Sequence, residues 1–267
     1  PYFVFELLYY LLYVFVIHKE TGLYFNRPKF SLWYLMSLFF WRIITPYIRK
    51  IPGNLFIAIT GGLLIGLTQL GNFFSIPRTL FFYPFFLAGY YFREEGFQAL
   101  RKRRKLLGAA LFGVTGFVLF AVKTAGLNLS PYIFYGRYSY ADMGTSDTIG
   151  ILIRLGCYGI SFLAFFTVCG VIPQKQHFFS ILGVRTMSIY LFHGLVYSLL
   201  KATPVLKAVT SIPETALLLG FCVLLTFLLA ANGPFKFVTY ISAFPIKRPP
   251  APPALPSVRH RNRLPHS

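Results

Sequence analysis

Acidic residues are nearly missing from this chain: 7 Asp and Glu stand against 26 Lys and Arg in 267 residues. Charged residues of both signs reach only 12%, about half the share of a soluble domain, which argues against a water-exposed globule. Cysteine is scarce too. Cys157, Cys169 and Cys222 lie inside apolar runs without C-x-x-C spacing, which argues against a disulfide framework or a zinc site. Each reads as a small buried hydrophobe. There is no G-x-x-x-x-G-K-[ST] phosphate loop, no H-E-x-x-H metal pair, no G-x-S-x-G turn and no internal repeat.

What is present is apolar. Hydrophobic residues make up 56% of the chain and aromatic residues 19%, the profile of an all-α, polytopic membrane bundle. Eight apolar runs stand out, at about 1–17, 31–48, 55–70, 78–92, 106–122, 149–172, 183–201 and 215–231. Eighteen residues at 1.5 Å each cover about 27 Å of hydrocarbon, so each run is expected to span the bilayer. The first run begins at Pro1 with no Met and no signal-peptide layout, and reads as the start of a fragment.

The net charge of +19 raises nucleic acid as a partner, but its distribution argues against that. Cations sit in short loops and at the C-terminus, as the positive-inside rule expects of cytoplasmic segments. The loop 93–105, ending R-K-R-R-K, is the strongest marker. Counting runs from it puts Arg49, Lys50, the Lys175 turn and the tail cations Lys247, Arg248, Arg259, Arg261 and Arg263 on the same side. The loop 123–148 is then outside. Residues 1–246 read as one membrane domain and 247–267 as a disordered, basic, proline-rich tail.

Several polar residues interrupt the runs. His193 lies near the middle of 183–201, where an ionisable group is expensive and usually faces the bundle interior or a wet cavity. Arg185, Ile189 and His193 are spaced i, i+4, i+8, with Tyr190 three residues before the histidine. A packing role, with His193 bonding a carbonyl of a neighbouring helix, is the plainer alternative. Arg42 either snorkels to the surface or points inward. Trp33 suits an interfacial aromatic belt. Arg78 is an interfacial anchor or a fixed cation for an anionic or polar ligand. Pro84 should kink its helix and make it a cavity wall. Glu6 is read as an interface residue in preference to a buried partner for a cation. Gly61, Gly62 and Gly66 mark a packing helix. The aromatic cluster around Arg137, with Asp142 nearby, can grip sugar rings or rest on the membrane interface.

Three segments carry a resemblance. S-L-W-Y-L-M-S-L-F-F-W-R at 31–42, R-T-L-F-F-Y-P-F-F-L-A-G-Y at 78–90 and L-G-V-R-T-M-S-I-Y-L-F-H-G at 182–194 resemble the integral-membrane acyltransferase 3 family. Within it, the fucose 4-O-acetylase-like branch is nearest. The resemblance implies a ten-helix enzyme moving an acyl group, commonly acetyl, from acyl-CoA to a sugar hydroxyl, with the bilayer, acyl-CoA and a carbohydrate acceptor as partners. It implies no metal and a plasma-membrane location. It also implies a catalytic histidine in a first helix; neither that helix nor the next is in this sequence, so the base is expected upstream of Pro1. Arg78 matches the R-T-L opening, and Trp33 and Arg42 match the tryptophan and arginine of the 31–42 segment. Tyr190 and His193 match the last motif. With Arg185, these are the candidate site-lining residues.

Overall fold

The computed structural model describes residues 1–124, 131–173 and 177–243, and among these every regular element is helical. The Lys175 turn, the tail cations and part of the 123–148 loop lie outside the described residues. Apolar runs become helices because a backbone group left unpaired in hydrocarbon costs several kcal/mol. Helix α1 (Tyr2–Leu11) continues through one π turn, Leu12–Val16. Next come α2 (Trp33–Ile48), α3 (Asn54–Leu64), α4 (Ile76–Tyr91), α5 (Glu94–Lys102) and α6 (Arg104–Thr124). The rest are α7 (Asp147–Val171), α8 (Ser180–Val184), α9 (Thr186–Ala202), α10 (Val205–Ala208), α11 (Ile212–Leu229) and α12 (Asn232–Ser242).

Each expected run contains a helix, but three helices are long and apolar enough to cross a membrane unaided. They are Arg104–Ala121, Asp147–Val171 and Ile212–Leu229. Helices α2 and α4 have 16 residues and α9 has 17. Their lengths, about 24 to 26 Å, fall short of a hydrocarbon core of roughly 30 Å. No residue in the Arg104–Ala121 or Ile212–Leu229 windows is fully buried, so both helices present a broad apolar surface away from the helices they pack on. That surface suits lipid and not water.

Two clusters hold the bundle. Trp41, Ala58, Tyr83 and Leu87 join α2, α3 and α4. Beside them Ser37, Trp41 and Thr45, at i, i+4, i+8 on α2, form a polar ladder to α4. Ser37 Oγ lies 2.8 Å from Thr79 Oγ1, Trp41 donates to the Thr79 carbonyl at 2.8 Å, and Thr45 bonds the Tyr83 hydroxyl at 3.2 Å. Such interhelical bonds contribute about 0.6 kcal/mol each on average. The second cluster, Phe5, Tyr9, Leu32, Leu191 and Val238, joins α1, α9 and α12.

Several expectations need correcting. Residues 93–105 are largely helix α5, with Glu94 and Glu95 in the first turn and Arg101 and Lys102 in the last, the order a helix dipole favours. Arg101 donates to the Ile172 carbonyl at the end of α7. Glu6 is fully buried and not interfacial: Lys29 Nζ reaches its carboxylate at 2.8 Å and the Lys29 backbone N–H at 3.1 Å. Cys157 and Cys169 are buried, but Cys222 is exposed on α11. Helix α4 runs through Pro84 without a break. The Leu80 carbonyl, which Pro84 cannot bond, lies against Gly62, where an added Cβ would stand 3.1 Å away. Gly62 and Gly66 are close approaches for Tyr158, Tyr140 and Arg154, whereas Gly61 faces open space.

Candidate functional site

Four elements converge on a cavity of about 740 Å³. The first turn of α2 gives Trp33, the start of α4 gives Arg78 and Phe82, and the segment after α6 gives Phe134, Tyr135 and Arg137. Helix α9 supplies Tyr190, His193, Tyr197 and Lys201, at steps of three, four and four residues that keep them on one face. Pro28, Phe30, Ser31 and Asn72 complete the wall. Its size suits a small-molecule ligand.

The α9 face reaches the cavity because Gly194 lets the helix come close. An added Cβ there would clash with the Tyr9 hydroxyl, Phe30 and the Ser31 hydroxyl. The Tyr190 hydroxyl donates to the Ser31 carbonyl, so its proton is committed to packing. His193 Nδ1 lies 3.2 Å from the Ile189 carbonyl of its own helix, and not against a neighbouring one. A carbonyl only accepts, so that contact places the proton on Nδ1 and leaves the Nε2 lone pair available in the neutral ring.

Arg78 is held by neutral groups. Its guanidinium lies 5.1 Å over the Trp33 ring, and donates at 3.3 Å to the Tyr135 carbonyl and at 3.4 Å to Asn72 Oδ1. Guanidinium carries five N–H donors, so most remain for a ligand.

The segment after α6 is pinned by Arg154, which is 2% exposed. Arg154 donates to the Gly62 carbonyl at 3.2 Å and to the Tyr138 carbonyl at 3.1 Å, and packs on the rings of Tyr140 and Phe81. Tyr140 donates to the Leu63 carbonyl at 2.7 Å. Asp142 accepts from the Ser139 backbone N–H at 3.1 Å, which, with the Ser139 hydroxyl, holds its carboxyl below the usual carboxylate range. Arg137, one residue before Tyr138, is thereby carried over the cavity.

His193, Tyr190, Arg78 and Trp33 thus share one cavity. Arg42 and Arg185 do not line it. Arg42 is nine residues beyond Trp33, half a turn out of phase at 3.6 residues per turn, and is exposed on the far side of α2. Arg185 donates to the Ala230 carbonyl at the end of α11 and lies 5.0 Å over the Phe235 ring. It caps a helix two turns from His193. Asn72 joined the site through tertiary folding with no local pattern to single it out, while Lys201 was overlooked although it keeps the phase of His193 and Tyr197 on α9. Arg137 was marked only by its aromatic neighbours.

A family model described as an acyltransferase domain matches residues 1–231. No curated protein and no solved structure matches the chain.

Proposed function

The chain belongs to the acyltransferase 3 family, and we propose that it transfers an acyl group, acetyl in the first instance, from acyl-CoA to a sugar hydroxyl at the membrane. The observation that carries this reading is the meeting of His193 and Arg78 in one cavity with aromatic walls. A hydroxyl oxygen attacks the thioester carbonyl, the C–S bond breaks, the hydroxyl proton passes to a base, and coenzyme A leaves as the thiol. In this reading His193 accepts a hydrogen bond from the acceptor hydroxyl at Nε2 and aims its oxygen. Arg78 holds the acceptor, while Trp33 and Tyr135 offer ring faces to the sugar.

In this reading all eight apolar runs cross the membrane, and that gives the proposal its sidedness. By the positive-inside rule α5 and the stretch after it face the cytoplasm, where acyl-CoA is made. Arg78 and Arg93 are fifteen residues apart, about 22 Å along α4. The cavity then opens toward the outer face of the plasma membrane. The resemblance of its segments to the fucose 4-O-acetylase-like branch supports a saccharide acceptor.

The test is acyl transfer by protein reconstituted in nanodiscs, followed as labelled acetyl on a saccharide and as free coenzyme A thiol. His193→Ala should lower kcat about 10- to 100-fold with little change in KM, the signature of lost aim. Arg78→Ala should act chiefly on KM for the acceptor. Movement of saccharide across vesicles without donor, with no thiol released, would overturn the reading in favour of transport.

A further inference from the structure

The cavity is charged in one sign. Arg78, Arg137 and Lys201 line it beside His193, and none of its 14 lining residues is Asp or Glu. The salt bridge found among the described residues is Lys29–Glu6, so none of the three cations has a carboxylate within 4 Å. Arg137 lies close enough to repel the charge on Arg78. Two guanidiniums that line one partly desolvated cavity are costly unless an anion joins them. Asp142 attracts Arg137 from beyond ion-pair distance while it takes the Ser139 backbone N–H, and Glu214 closes the capping box of α11.

We propose that the acceptor is itself an anion, a saccharide bearing a carboxylate or phosphate that Arg78 and Arg137 clasp while its free hydroxyl reaches His193. This deepens, and rests on, the acyltransferase reading of the same site. Guanidinium presents paired N–H groups that match a carboxylate or phosphate bidentately, and Arg78 spends its present bonds on long contacts to neutral oxygens that an anion can replace. Lys201 lies eight residues beyond His193, about 12 Å along α9, and gives an elongated acceptor a second cationic contact. Beyond the stacked rings of Phe30 and Tyr197 a smaller cavity of about 240 Å³ continues past Lys201 to Lys19. Coenzyme A phosphates are the rival anion, but they approach from the α5 side, at the other end of α4.

The experiment compares acceptors matched except for charge: trigalacturonate, its neutral methyl ester, and trigalactose carrying one 6-phosphate. Both kcat/KM with acetyl-CoA and direct binding without donor are measured. At least one charged acceptor should exceed the neutral ester by about tenfold or more in both, the advantage of a charge-assisted pair. Which one does so identifies carboxylate or phosphate. Arg137→Gln should shrink that preference below about threefold by lowering the charged acceptor's values more than the neutral ester's. Equal use of the neutral ester would overturn the inference and leave acyl transfer standing. So would an Arg137→Gln variant that weakens acetyl-CoA but not acetyl-pantetheine, which lacks the nucleotide phosphates. If no acceptor releases thiol, the acyltransferase reading fails, and the binding comparison alone still decides whether the cavity selects anions.

Discussion

At the scale of single residues, the site is assembled from polar groups whose partners are neutral oxygens and ring faces, with hardly a carboxylate among them. Arg154 shows what that demands. Its buried guanidinium rests on two carbonyls and two aromatic rings, and Nε has no partner. Arg154→Met should destabilise the protein by on the order of 3 kcal/mol, because two charge-assisted bonds are lost and two carbonyls are stranded. Thermal unfolding in detergent, with limited proteolysis of the segment after α6, checks this. An unchanged melting temperature would mean that Arg154 does not pin that segment.

A second residue-scale prediction concerns Ser75, just before α4. It has a left-handed backbone, φ 55, and a buried hydroxyl without a partner. Glycine adopts that conformation without steric strain and brings no hydroxyl. Ser75→Gly should therefore stabilise by about 1 kcal/mol, read as a higher melting temperature. A lower one would place that hydroxyl in an unseen bond.

Helical phase, at the scale of elements, decides which candidates meet. Tyr190 and His193 follow the steps that keep side chains on one face of α9, which a sequence displays directly. Trp33 and Arg42 lie nine residues apart, and at 100° per residue that separation points them to opposite sides of α2. Position within one apolar run was not enough to pair them. Helix α5 was hidden for another reason: its charged composition resembles a loop until the order of signs along it, acidic first and basic last, is noticed. The close approach that makes the α9 face usable rests on Gly194. Gly194→Ala should cost about 1–3 kcal/mol through overpacking against Tyr9 and Phe30, and lower transfer activity more than a matched change at Gly183, which faces open space. Equal effects at the two glycines would contradict that packing.

For the whole molecule, apolar length and composition made the helical, membrane-embedded character plain in the sequence, and three helices carry it independently. Which polar residues share a cavity was only half legible. Local spacing found the α9 residues, and motif likeness found Arg78 and Trp33. The contributions of Asn72 and Arg137 depend on how distant segments dock, through bonds such as that from Arg154 to the Tyr138 carbonyl; Arg137 was marked only by its aromatic neighbours, and Lys201 only by its phase on α9. The fully exposed apolar faces of α6 and α11 become reasonable once lipid is the solvent.

The account stands on His193 and Arg78 acting together on one bound acceptor. A double-mutant cycle of His193→Ala and Arg78→Ala, scored as kcat/KM for acetyl transfer in nanodiscs, tests that joint action most directly. Residues sharing a substrate should show a coupling of at least about 1 kcal/mol, the double variant losing less than the two single losses combined. Losses that add to within about 0.5 kcal/mol would contradict the account, because the two groups would then act at independent places.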